Sequence, residues 1–203
     1  MRRFAVLTRF ILALALCGAF PARADDIEVR EAQLRAADEG LLLNADFAFD
    51  LTPRLAEVVA NGVPLYFVVE FELTRRRTFW FDERTATRRL QQRLSYHPLS
   101  RQYRLSTGLL QQSFTSLEEA LNVLKRVRNW LVVDRGTTLS GDDYDAAVRM
   151  RHDTALLPKP FQISALTSRE LQLDSPWRRF TVRALQQTPA PVETREPRPS
   201  EAR

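Results

Sequence analysis

Leu65-Tyr66-Phe67-Val68-Val69-Glu70-Phe71-Glu72-Leu73-Thr74 alternates along its length. Leu65, Phe67, Val69, Phe71 and Leu73 fall on one side, Tyr66, Val68, Glu70, Glu72 and Thr74 on the other. Successive strand side chains point to opposite faces, so a period of two reads as a strand with one buried and one solvent-facing side. The same period recurs upstream, where Leu41, Leu43, Ala45, Phe47 and Phe49 alternate with Leu42, Asn44, Asp46, Ala48 and Asp50. It recurs downstream, where Tyr144, Ala146, Val148, Met150 and His152 alternate with Asp145, Arg149, Arg151 and Asp153. Ile27 and Val29 share one face while Ala32 and Leu34 share the other, which predicts a bulge near Glu31. From Arg84 to Tyr96, Ala86, Leu90 and Leu94 fit helical spacing, but with Tyr96 they also share even parity; His97-Pro98-Leu99-Ser100 reads as a turn, and Arg101, Tyr103 and Leu105 alternate after it. Two antiparallel strands joined by that turn are the favoured reading over a helix.

Two short helices are expected among these strands. Thr52-Pro53 opens the first, with proline at the first helical position; Leu55, Val58 and Val59 form its apolar face, and Asn61-Gly62 ends it. Ser116 and Glu119 have capping-box spacing at the start of the second. Leu117, Leu121, Leu124, Val127 and Leu131 continue it at helical spacing, with Lys125, Arg126 and Arg128 near its end, where the helix dipole favours cations. Trp130-Leu131-Val132-Val133 then turns into a short strand, and Leu156-Leu157-Pro158-Lys159-Pro160-Phe161 reads as an extended crossing. Strands outnumbering helices this strongly predict a mainly β fold. The expected form is an antiparallel two-layer β-sandwich-like domain with two short helices, with α+β as the alternative.

The ends of the chain read differently. Met1-Arg2-Arg3 is basic, Phe10 to Phe20 is an apolar run of eleven residues, and Ala22-Arg23-Ala24 has the small residues that a signal peptidase reads. A spanning helix needs about 20 residues, so residues 1–24 are expected to be a cleaved secretory signal peptide. A periplasmic or secreted location follows from it. A single β-rich domain is expected over residues 25–185. The tail over residues 186–203, with Pro189, Pro191, Pro197 and Pro199 among Glu, Arg, Ser and Thr, is expected to be disordered.

Removal of the signal changes the electrostatics. The chain carries 30 basic and 25 acidic side chains. Arg2, Arg3, Arg9 and Arg23 precede Asp25 and no acid does, which leaves 26 against 25. A near-neutral exported chain argues against nucleic acid as a partner. Cys17, the only cysteine, leaves with the signal, so no disulfide is expected.

The stretches Trp80-Phe81-Asp82-Glu83, Leu94-Ser95-Tyr96-His97-Pro98-Leu99-Ser100-Arg101-Gln102-Tyr103-Arg104, Leu157-Pro158-Lys159-Pro160-Phe161 and Leu173-Asp174-Ser175-Pro176-Trp177 come after the signal and the long strand in that order. Together they resemble the bacterial exported family DUF4390, a domain of unknown function, over roughly residues 26–182. The resemblance implies one exported domain and carries no activity. Members of that family are often encoded beside a sensor kinase and response regulator of the nitrogen-regulation type.

No residue pattern specifies a reaction. There is no G-x-S-x-G elbow, and Ser140-Gly141 reads as a turn. Asp142, Asp143 and Asp145 lack the spacing of a calcium loop and read as a solvated turn opening a strand. The six glycines are not grouped into a phosphate loop. His152 falls on an apolar strand face and reads as a buried structural histidine, and His97 reads as a turn residue. Accordingly no catalytic residue, metal site or cofactor is expected. The one suggestive stretch is Arg75, Arg76, Arg77 and Trp80, dense positive charge beside a large aromatic, the residue types that binding surfaces enrich. Its plainer reading is a continuing strand, with these arginines solvated or paired to Glu70 and Glu72 and with Phe79 and Phe81 in the core. The expectation is a non-enzymatic binding or adaptor module of the cell envelope, with an envelope or membrane protein as partner and no transmembrane segment in the mature chain. An enzyme with an unrecognised carboxylate or Arg site, and a carrier of a small apolar ligand, are the rivals.

Overall fold

A computed structural model describes residues 27–75, 83–137 and 144–182. Its strands are β1 (Glu28–Ala37), β2 (Gly40–Ala48), β3 (Leu65–Arg75), β4 (Glu83–His97), β5 (Gln102–Thr107), β6 (Leu110–Phe114), β7 (Arg126–Asp134), β8 (Tyr144–His152) and β9 (Arg178–Val182). The helices are α1 (Pro53–Ala60), α2 (Leu117–Leu124) and α3 (Lys159–Thr167), with single 3-10 turns at Thr154–Leu156 and Arg169–Leu171. β1-β2-β7 form a three-stranded sheet, and β6-β5-β4-β3-β8-β9 form a six-stranded one. Every pairing is antiparallel. The fold is thus mainly antiparallel β and sandwich-like.

The core lies between the sheets and is built from the alternating faces. Leu65, Phe67, Val69, Phe71 and Leu73 of β3 are fully buried, and so are Ala146, Val148 and Met150 of β8. From the small sheet Leu43, Ala45 and Phe47 meet them, and all belong to one hydrophobic cluster. Phe67 is the hinge of this packing: Phe49 stacks on it at 5.6 Å between centroids, and the His152 ring lies against it at 5.4 Å. The expected bulge is present, between Val29 and Glu31. The expected hairpin at His97 to Ser100 is also present, with His97 opposite Gln102.

α1 starts and stops as its sequence predicts. The Thr52 side chain accepts a hydrogen bond from the Leu55 N–H at 3.1 Å, and the backbone closes at Asn61. Thr52 also donates to the Glu170 carbonyl at 2.5 Å, which ties α1 to the second 3-10 turn. α2 carries the full capping box: Ser116 Oγ accepts from the Glu119 N–H, and Glu119 accepts from the Ser116 N–H. The Thr115 hydroxyl and N–H also donate to Glu119, holding its carboxyl below the ordinary range.

Three features differ from the sequence expectation. α2 ends at Leu124, two turns after it begins, and does not run to Leu131. Its continuation is β7, in which Val127 pairs with Ala45, Trp130 with Leu43 and Val133 with Leu41. A run rich in valine and aromatic side chains gains more from a ladder against β2 than from further helix turns. Arg126 and Arg128 therefore belong to a strand. The segment expected to be extended, Leu156 to Phe161, instead holds a 3-10 turn and the start of α3, giving three helices where two were expected. Pro158 and Pro160 stand at the N-cap and in the first turn, where a missing N–H breaks no helical bond. Finally, the outer face of β3 is not open: Val68 and Glu70 are buried there as well.

Gly40 is required by a close approach. Its φ is +141°, and a Cβ there would lie 2.0 Å from the Val133 carbonyl oxygen. No described helix is long and apolar enough to cross a membrane.

Candidate functional site

The burial of Glu70 organises the outer face of the large sheet. β3 lies between β4 and β8, and the register puts Glu70 opposite Arg89 on one side and Arg149 on the other. Glu70 is 4% exposed. Its Oε2 accepts from Arg149 Nε at 2.6 Å and Nη2 at 2.5 Å. Its Oε1 faces Arg89 Nε at 3.2 Å and Arg151 Nη2 at 3.7 Å. Arg151 also reaches Asp153 at 3.4 Å. A buried carboxylate needs such partners, because an unpaired one is strongly disfavoured. The reverse also matters: one carboxylate faces three guanidinium groups, and Arg89 is largely solvent-facing. The cluster holds surplus positive charge in a fork geometry suited to carboxylate or phosphate oxygens. Val68, also buried, lies between Gln91 and Arg151 in the same ladder.

Trp177 extends this cluster to a second feature. Its ring lies under the Arg149 guanidinium, 4.5 Å from carbon to centroid, the stacking that delocalised cations favour. Trp177 also lines an open groove of about 1260 Å³. The groove is lined by the beginning of β1, the end of β2, the beginning of β7, and Pro176 and Arg178. Ile27, Val29, Phe47, Phe49 and Trp177 contribute apolar surface, interleaved with acidic and basic side chains from the same strands. Asp50 holds Lys125 at 3.4 Å, above the Phe49 ring at 5.3 Å. Asp46 holds Arg128 at 2.5 Å, and Arg128 also donates to the Ala45 carbonyl at 3.0 Å. Arg30, Arg126 and Arg178 are exposed and pair with no acid among the described residues. Arg30 owes its position to the bulge, which lifts it out of the regular β1–β2 register. The described lining contains no histidine, serine or cysteine, so it offers charge and aromatic surface rather than a nucleophile with its base. Its charged side chains offer contacts to an ionic ligand beside the apolar surface.

Of the residues singled out in the sequence, Arg75 is the last residue of β3, half-buried and opposite Glu83 and Tyr144. Arg76, Arg77 and Trp80 lie outside the described residues, as do Phe79, Phe81, Ser140, Gly141, Asp142 and Asp143. The expected pairing of Arg76 and Arg77 with Glu70 and Glu72 lies outside the described residues; among those described, Glu70 is met by Arg89, Arg149 and Arg151. Glu72 faces Arg84 at 3.8 Å. Asp145 is part of β8 and accepts from the Thr181 hydroxyl at 3.3 Å. Among the described residues no group of three His, Cys, Asp or Glu side chains is placed to hold a metal. His97 Nδ1 accepts from the Ser100 N–H at 3.3 Å within its turn. His152 is buried, with Nδ1 2.9 Å from the Leu171 carbonyl, and Nε2 lacks a partner among the described residues. Burial pushes its pKa below the ordinary histidine value, against the opposing effect of the Leu171 carbonyl.

The Glu70 cluster was partly legible in the sequence. Arg149 and Arg151 share the polar side of a strand, as do Glu70 and Glu72. Which arginines meet which glutamates depended on β3 lying between β4 and β8, and strand order is not a local property.

Fold and site together define a two-sheet antiparallel β protein with an arginine-rich outer face and an adjoining charged groove. The chain matches the family described as Domain of unknown function (DUF4390) over residues 24–181 and belongs to it. No curated protein and no solved structure matches it.

Proposed function

We propose that this protein is an exported, non-enzymatic binding or adaptor module of the bacterial cell envelope, and that it holds an acidic segment of an envelope protein. The observation that carries the reading is the set of guanidinium groups around Glu70, joined through Trp177 to Arg178 and the groove. Three arginines share one carboxylate there, and three further arginines along the groove have no acid partner among the described residues. A partner presenting two or more carboxylates in an extended segment would complete these charges with forked hydrogen bonds, and Trp177 would supply the aromatic anchor. Export rests on the basic, apolar and small-residue pattern of residues 1–24. An accessory role beside a signalling or membrane system fits the same reading.

Affinity capture from envelope extract tests it. The triple variant Arg30→Gln, Arg126→Gln, Arg178→Gln removes exposed charge without touching the core. It should keep the wild-type unfolding midpoint and lose the captured partner, with wild-type capture weakening as salt rises, because exposed charges are screened within about 10 Å at 0.1 M. Equal capture by folded variant and wild type would overturn the acidic-segment reading. Intact mass of the exported protein should show Asp25 as the first residue. Retention of residues 10–20 in a membrane-bound chain would overturn the cleaved-signal reading.

A further inference from the structure

Among the described residues the two sheets have four edge strands, β1, β7, β9 and β6, and three of them carry features that discourage edge-to-edge pairing. β1 contains Glu28, Arg30, Glu31 and Arg35 and a bulge. β7 contains Arg126, Arg128 and Asp134, and its register is broken twice along β2. β9 begins Arg178-Arg179. Charges, bulges and irregular register are the devices that keep sheet edges from pairing. β6 has none of them: Leu110-Gln111-Gln112-Ser113-Phe114 is uncharged, lacks proline and pairs with β5 in unbroken register. Leu110 is 73% exposed and the adjoining turn residue Leu109 fully so.

The backbone of this edge is also self-complementary. Thr107 pairs with Leu110 across the two-residue turn Gly108-Leu109, and Gly108 has the positive φ, +57°, that a type II′ turn needs at its first position. The pair flanking such a turn exchanges hydrogen bonds. By alternation, Leu110, Gln112 and Phe114 direct their backbone groups to β5, while Gln111 and Ser113 direct theirs to the free edge. An antiparallel neighbour of the same sequence, related by a two-fold axis at Gln112, brings Gln111 of each copy opposite Ser113 of the other. All of those outward N–H and C=O groups then pair. On the side shared with buried Leu105, the same register sets Leu110 of each copy against Phe114 of the other and Gln112 against Gln112. Aliphatic and aromatic side chains meet, amide meets amide, and no like charges face each other.

We propose that β6 is the dimerisation edge of this protein: two copies pair antiparallel about Gln112 and join their six-stranded sheets into one. Such an interface is isologous and closed, so it stops at two copies. A five-residue edge buries less than a standard protein interface, so the dimer dissociates on dilution. It also sets two arginine faces in one continuous sheet, independently of what those faces bind.

Light scattering on the protein expressed from the full reading frame, over a wide concentration range, tests this. The mass should rise from one copy to two as concentration rises. Gln111→Pro removes an outward N–H and leaves the β5–β6 hydrogen bonds intact. Gln112→Lys sets two ammonium groups face to face across the axis. Each should weaken dimerisation about tenfold or more with an unchanged unfolding midpoint; if the proline variant fails to fold, the lysine variant decides. A wild-type chain that stays monomeric throughout overturns the proposal, including the case in which the edge pairs only with another protein's strand. A dimer equally strong in the folded variants overturns it too.

Discussion

Glu70 and His152 are two polar residues whose environments the alternation pattern describes incompletely. The pattern places Glu70 on a solvent-facing side, where replacement would matter little. In the structure it is the buried anion that neutralises part of an arginine cluster. Removing its charge takes the acid partner from Arg149, while Arg151 keeps Asp153 and Arg89 is largely solvent-facing, so the cost is that of lost charged hydrogen bonds, about 1–3 kcal/mol. Glu70→Gln is therefore expected to lower the denaturant midpoint clearly, though less than Phe67→Ala, for which a core deletion predicts roughly 3–5 kcal/mol. Urea melts of the two variants check this, and a Glu70 variant within about 0.5 kcal/mol of wild type, the usual span for a surface substitution, would remove the cluster's structural role. His152 is legible as buried, and it is. Its folded pKa lies below the ordinary 6.5 because burial disfavours the imidazolium. The unfolded chain thus binds the proton more readily than the folded one. The stability tied to a neutral His152 is complete above pH 6.5 and falls as the pH drops below that value toward the folded pKa. His152→Gln retains an N–H for the Leu171 carbonyl and does not titrate. Thermal melts from pH 8 to pH 5 should show a smaller acid loss for this variant than for wild type.

Among the elements, local chemistry sets beginnings more firmly than ends. α1 and α2 start where their caps are, because a capping side chain and its N–H target lie within three residues of each other. Their ends compete with the next element of the chain. Leu117 to Leu131 keeps helical spacing throughout, yet the chain leaves the helix at Lys125, where its carbonyl accepts the Phe47 N–H at 2.8 Å and begins the ladder with β2. Asn129 absorbs the mismatch with φ +51°, its N–H donating to the Asn44 side chain at 2.8 Å. A helix of two turns has little stability of its own and depends on its cap and its packing. Ser116→Ala should therefore cost about 1 kcal/mol, read as a lower unfolding midpoint, and Glu119→Gln less, since the amide still accepts from the Ser116 N–H. Equal midpoints for Ser116→Ala and wild type would mean that packing against β5 and β6 alone holds α2.

For the molecule as a whole, the sequence determined whatever depends on near neighbours in the chain. The period of two specified the long strands and the buried side of each, and the Val29–Glu31 bulge followed from a change of parity. The cap residues specified helix starts, and the family was legible from its spaced stretches. Tertiary structure decided what depends on which strand lies beside which. The order β6-β5-β4-β3-β8-β9 put β3 at the centre, so its polar side is covered by arginines from both neighbours and Glu70 is buried. The pairing of β2 with β7 ended α2 early, and the approach of β1, β2, β7 and Trp177 formed a groove from residues up to about 150 positions apart. Alternation is a property of one strand and can be read along the chain. Neighbourhood is a property of pairs of strands, set by the burial of all the apolar faces at once, and no single segment carries it.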